Sequence, residues 1–193
     1  MVSKRKKIAI IVVVVLVVAP FGTLGILMEI GNMPHVSDVQ VKNPEGSAGI
    51  AFTVYQPGIS NFQEKMTLAF VAGLISNDWR VEITTASSQT PTDLSSYDLL
   101  VLGSPTYGGN PAQPVINYLN RVGDLGGMDT VIITTGGGLG TESADIMAKS
   151  VQEANGTIIK ILILSNQAPN EELYGISDPL EIATNAGKEI PLP

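Results

Sequence analysis

No cysteine occurs in the 193 residues, and histidine occurs once, at His35. Disulfides, thiolate nucleophiles, cysteine-ligated zinc and cysteine-held iron–sulfur clusters are therefore excluded, and one imidazole cannot build a histidine metal site. Aromatic residues make up only 5% of the chain and tryptophan is single, at Trp79, so few side chains are able to stack on a flat ligand. Positive charge is scarce beyond the N-terminus. Lys4, Arg5, Lys6 and Lys7 hold four of the 11 basic side chains, and the chain from Ile8 onward carries the other 7 against 18 acidic residues, a formal charge of −11. Nucleic-acid phosphates repel such a surface, which excludes nucleic acid as a partner. No Ser-His-Asp set, metal cluster or paired-carboxylate pattern is visible, so hydrolytic chemistry has no residues to carry it.

Charge is also missing from Ile8 to Met28, whose first part reads "IAIIVVVVLVV". At about 1.5 Å per residue, Ile8 to Leu27 would reach roughly 30 Å, the thickness of a bilayer's hydrocarbon core. The reading is a basic flank at 1–7 and a transmembrane helix, a signal anchor, at 8–28. A buried core element and a cleaved signal peptide are the alternatives; "SKRKK" suits a signal peptide, whereas the long apolar run and Pro20 in "VVAPFG" disfavour cleavage. Four cations precede the run, and the following stretch holds Lys42 against Glu29, Asp38 and Glu45. That asymmetry predicts a cytoplasmic N-terminus and a single-pass membrane protein with its domain outside the cytoplasm. Residues 29–47 contain Pro, Gly, Asn and scattered charge without period, and read as a tether.

From residue 48 to 193 strand and helix signals alternate. "GIAFTVY" is a short apolar run; Ser60 with Gln63 forms a capping-box pattern, and Phe62, Met66, Ala69, Phe70, Gly73 and Leu74 follow at helical spacing. "RVEITT", "YDLLVLG", "TVIITT" and "TIIKILIL" are four further strands, the last three apolar enough to be covered on both faces. Asn110-Pro111 reads as a helix start leading into Val115, Ile116, Leu119 and Val122. Thr141 precedes a second helix through Ala144, Met147 and Val151 that stops at Asn155-Gly156, and a weaker helix spans about Pro179 to Lys188. Repeated strand, helix, strand predicts an α/β domain with a parallel, doubly wound sheet. Only Ser87 to Ser96 join the second and third strands, room for a helical turn at most.

Ligands of such sheets lie beyond the carboxyl ends of the strands. Three loops leave those ends: "YQPGISN" (Tyr55 to Asn61), "GSPTYGGN" (Gly103 to Asn110) and "TGGGLGT" (Thr135 to Thr141). Glycine lets backbone N–H groups face a ligand, and a helix N-terminus after the loop favours a phosphate.

The stretch "YDLLVLGSPTYGGNPAQPVINYL", supported by "VIITTGGG", resembles the third and fourth strands of short-chain flavodoxins and their flavin-reductase relatives; the resemblance covers about Ala48 to Leu164. It implies a flavodoxin-like fold of five parallel strands in the order 2-1-3-4-5, and FMN as cofactor. Carried over position by position, Gly58, Ile59, Ser60 and Asn61 would hold the phosphate, and Tyr107 would stack on or shield the ring. Pro105, Thr106, Gly108, Gly109 and Asn110 would contact the ring or ribityl chain, with Thr135, Gly136, Gly137 and Gly138 beside them. The first loop departs from the family's hydroxyl-rich Thr/Ser-x-Thr-Gly-x-Thr arrangement: only Ser60 and Asn61 are small and polar, and Phe62 stands near an expected threonine.

Plainer roles exist for these residues. Pro57-Gly58 makes a tight turn unaided, the triple glycine can serve packing, and Tyr107 can be a loop residue. Trp79 lies at the opposite rim and reads as core; His35 has no assigned role. The expected function is a membrane-tethered, FMN-binding protein that passes electrons to or from a membrane-associated partner; if it is an enzyme, it is an FMN-dependent oxidoreductase. The alternative, favoured by the first loop, is a flavodoxin-fold binding or scaffold module without flavin.

Overall fold

The computed structural model describes residues 6–7, 12–13, 15–16, 19–167, 170 and 177–193. Strand β2 (Ile50–Tyr55) lies at the centre, flanked in parallel by β3 (Arg80–Thr85) and β4 (Leu99–Tyr107); β6 (Asp129–Gly136) and β7 (Thr157–Ser165) continue the parallel sheet beyond β4. The five strands expected from the apolar runs therefore stand in the order 2-1-3-4-5. Two short strands join them. β1 (Gln40–Lys42) pairs antiparallel with β3 at the sheet's edge, and β5 (Asn110–Pro111) folds back on β4.

Period-two alternation divides the strands between two cores. Ala51, Leu99, Val101, Val131 and Ile133 face α2 (Phe62–Ser76) and α5 (Pro179–Lys188), while Phe52, Val54, Leu100, Leu102 and Ile132 face α3 (Gln113–Val122) and α4 (Glu142–Glu153). Helices α2 and α5 cross with their backbones in contact at Gly73 and Gly187, where a methyl group on either would run into the other helix. Trp79 is buried in the first core. Between β3 and β4 the chain forms turns without a helix, and Tyr97 at their end stacks on Phe52 with ring centroids 4.8 Å apart.

The front of the chain requires a correction. Helix α1 is described over Ala19–Gly31, 13 residues or about 20 Å at 1.5 Å per residue, against the roughly 30 Å of a hydrocarbon core. Among the described residues no helix is long and apolar enough to cross a membrane. Residues 8–11, 14, 17 and 18 of the expected span lie outside the described residues. The transmembrane helix at 8–28, the bilayer as partner and the single-pass localisation with an extracytoplasmic domain are thus not supported. An apolar run measures composition; spanning requires about 20 residues in one continuous helix.

Helix α1 ends against the sheet. The N–H groups of Asn32 and Met33 close the last turn on Met28, Glu29 and Ile30 carbonyls. Beyond it, Ser37 Oγ accepts from the Thr85 N–H at 3.1 Å, and Thr84 Oγ1 donates to the Ser37 carbonyl at 2.9 Å. Residues 31–42 thus run along the carboxyl end and outer edge of the parallel strands.

Candidate functional site

Loops one, two and three follow β2, β4 and β6, three adjacent parallel strands, so all three open on one rim. The reversal of winding direction between β2 and β4 leaves a crevice at their carboxyl ends, because the connections leave to opposite sides there.

Loop one runs from Gln56 to Asn61. Gly58 has φ +79°, a left-handed conformation that suits glycine and turns the chain toward the first turn of α2. Asn61 is the N-cap of α2 without a side-chain cap bond among the described residues, and Ser60 and Asn61 are exposed. The first N–H groups of α2 therefore face outward with the helix's partial positive charge. The capping box expected from Ser60 and Gln63 does not form. Gln63 is buried instead: Nε2 donates to Thr67 Oγ1 at 3.0 Å, and Oε1 accepts from Thr135 Oγ1 at 2.8 Å. This bond fastens the first turn of α2 to the end of β6 and turns the Thr135 hydroxyl into the protein.

Loop two is a hairpin. Tyr107 pairs with Asn110 and Thr106 with Pro111 across Gly108 (φ +57°) and Gly109 (φ +81°), the two positive-φ positions that a two-residue hairpin turn of this hand demands. Asn110 and Pro111 thus form a strand rather than a helix start, and α3 begins two residues later behind Ala112, whose N–H donates to Ser104 Oγ at 2.8 Å. The hairpin carries Tyr107 across to loop one, where its hydroxyl accepts from the Ile59 N–H at 3.0 Å. Burial pushes the phenol's pKa up, and the Ile59 N–H partly offsets this by favouring the phenolate.

Loop three places Gly136 beside Thr106: a Cβ on Gly136 would lie 3.5 Å from Thr106 Cβ. Gly137 and Gly138 are exposed, and the space around Gly138 is open. Thr141 is the N-cap of α4, but its hydroxyl donates to Asp145 at 2.9 Å.

Two parts of this rim went unread in the sequence. Gln56 is buried, and its amide Nε2 donates to the carbonyls of Gly31 at 3.0 Å and Met33 at 2.8 Å; its Oε1 has no partner among the described residues. Gly31 lies against the hydroxyl end of the Tyr107 ring, so close that no side chain fits at that position. A run of mixed polarity between two carbonyl acceptors leaves no side-chain signal for such docking.

Three glycine-bearing loops thus converge on the rim, α2 begins without a side-chain cap, and the space around Gly138 is open. Tyr107 occupies the gap between loops one and two, with Gly31 behind it.

No protein-family model matches this chain, and no curated protein matches it in sequence. Solved structures match in fold. An archaeal flavodoxin superposes with a TM-score of 0.58 at 16% identity, covering 72% of this chain and 94% of its own. The flavodoxin of Megasphaera elsdenii, solved in its two-electron reduced form, gives 0.57 at 20%, covering 72% and 98%. An NAD(P)H:quinone oxidoreductase from Methanothermobacter marburgensis gives 0.52 at 16%, covering 72% and 94%. The chain is therefore similar in architecture to flavodoxins and flavodoxin-like quinone reductases.

Proposed function

We propose that the chain is a flavodoxin-like flavin-binding protein whose ligand is FMN and whose role is electron transfer. The observation that carries this reading is the convergence of loops one, two and three on one rim beside the uncapped N-terminus of α2. The backbone of Gly58, Ile59, Ser60 and Asn61, with the Ser60 hydroxyl, would hold the phosphate. Thr106, Gly108, Gly109 and Asn110 on the hairpin, with Pro105 at its base and Thr135 to Gly138 opposite, would line the ring. Tyr107 would shield one face after leaving Ile59. The flavin, when bound, supplies the one- or two-electron chemistry; the protein orients it and sets the polarity around it. Support comes from the likeness in fold to flavodoxins and from the glycine backbone at the rim.

A binding or scaffold module without flavin is the second reading. The Tyr107–Ile59 bond favours it, since that N–H is then already satisfied.

The test is direct: the purified full chain is assayed for bound flavin by its visible absorbance and, once stripped, titrated with FMN while flavin fluorescence is followed. A yellow protein that releases FMN, or saturable quenching, supports the carrier. A colourless protein that leaves FMN fluorescence untouched establishes the scaffold reading.

A further inference from the structure

We propose that residues 31–37 form an intramolecular strap that closes the rim, and that ligand access requires Gly31 and Tyr107 to part. The inference rests on the flavin reading above and concerns the regulation of that same site.

The strap begins where α1 ends. The last carbonyls of a helix have no partner within it, and here the Gly31 carbonyl, with that of Met33 just beyond, is met by the buried amide of Gln56 at the base of loop one. Asn32 reaches the opposite wall: its Oδ1 accepts from the Gln113 N–H at 2.8 Å, at the first residue of α3 behind loop two. One short segment thus spans the crevice from loop one to the helix following loop two. Beyond it, the His35 carbonyl accepts from the Thr85 hydroxyl, and Ser37 bonds to Thr84 and Thr85, pinning the strap to the end of β3.

Tyr107 converts this bridge into a closure. Its ring is held between Gly31 on one side and loop one on the other, where a Cβ on Gly58 would come within 2.8 Å of the phenol oxygen. The Ile59 N–H, a group the phosphate would use, is bonded to that oxygen. While the strap holds, Gly31 lies against the Tyr107 ring and limits its movement away from loop one. Strap and phosphate therefore compete for loop one, and the apparent affinity is the intrinsic affinity multiplied by the fraction of molecules in which the strap is open.

Gly31→Ala separates the two effects of the segment. The added methyl would meet the Tyr107 ring, and alanine is the better helix former, so the variant is expected to fold with Gly31 and Tyr107 driven apart. Asn32→Ala, which removes the acceptor for the Gln113 N–H, is the second variant. Full-length wild type and both variants are titrated with FMN by fluorescence, and hydrogen exchange of the Gln113 amide is followed with and without FMN. The expected result is FMN affinity about tenfold or more higher in both variants, as for removal of a closed state, and faster Gln113 exchange when FMN is added to the wild type. Equal or weaker affinity in the variants, with Gln113 protection unchanged by FMN, overturns the strap while leaving the flavin reading intact. Absence of FMN binding in all three proteins overturns the flavin reading and this proposal with it.

Discussion

The Tyr107 hydroxyl accepts a hydrogen bond from the Ile59 N–H at 3.0 Å, joining two loops that lie 48 residues apart in sequence. Tyr107→Phe keeps the ring against Gly31 and deletes only the acceptor. The expected outcome is a loss of about 0.5–1.5 kcal/mol in unfolding free energy, with faster exchange of the Ile59 amide. Unchanged exchange at Ile59 in the variant would show that the bond does not persist in solution.

Gln63 and Thr135 form the buried counterpart of that contact. In Gln63→Leu the Thr135 hydroxyl loses its acceptor inside the protein, at an expected cost of about 1–3 kcal/mol. Adding Thr135→Val should recover part of that loss, so a denaturant-based double-mutant cycle is expected to show coupling between the two sites. Strict additivity would mean that the two side chains act independently.

Gly73 and Gly187 allow α2 and α5 to touch backbone to backbone. Gly73→Ala places a methyl group against the Thr184 carbonyl, which cannot yield as a flexible side chain could. Forced separation of the helices should lower stability by about 1–3 kcal/mol, although alanine is intrinsically the better helix former. A neutral or stabilising substitution in urea unfolding would rule out this close crossing.

Among the described residues four phenols, Tyr55, Tyr97, Tyr107 and Tyr118, have pKa values raised by burial and make the fold sensitive to alkali. Burial, then the charge of Glu64 and a hydrogen bond to it, pushes Tyr55 up to about 12; burial, then the hydrogen bond to Glu82, does the same for Tyr97. Both groups ionise near about pH 10 in the unfolded chain. Between those values the unfolded chain releases protons that the folded chain keeps, so this stabilisation is complete below about pH 10 and is lost as pH rises toward about 12. Tyr55→Phe combined with Tyr97→Phe removes two of these ionising groups and should flatten the decline in part, while the second substitution keeps an aromatic ring stacked on Phe52. Identical pH slopes for variant and wild type, measured by denaturant midpoints, would assign the alkaline loss to other groups.

Much of the domain is legible in the sequence, because the signals are local. Near-continuous apolar runs such as "YDLLVLG" mark strands covered on both faces, and Phe62, Met66, Phe70 and Leu74 repeat at the spacing that buries one side of a helix. Glycines at loop ends mark the rim in the same way. The points where the chain enters its helices are less legible. Asn110-Pro111 has the composition of a helix start, but Gly108 and Gly109 make a hairpin possible, and pairing with Thr106 and Tyr107 decides between them. Gln63 fits a capping box, yet burial against β6 offers its amide Thr135 in place of the helix terminus.

The five parallel strands, the helices on both faces and the position of the glycine loops follow from the sequence itself, since side-chain period and turn chemistry act over a few residues; the strand order came from the resemblance to flavodoxins. Tertiary structure alone decided how the end of α1 docks on the sheet. An apolar run from Ile8 to Met28 suggested a membrane span; among the described residues no helix is long and apolar enough for one, and the helix that contains the end of the run terminates on the sheet. Its docking depends on Gln56 reaching main-chain carbonyls 25 and 23 positions away, and on a missing side chain at Gly31 that admits Tyr107. Carbonyl groups are the same at every residue, and a missing side chain has no sequence period. Only the folded chain brings Gly31, Gln56 and Tyr107 together.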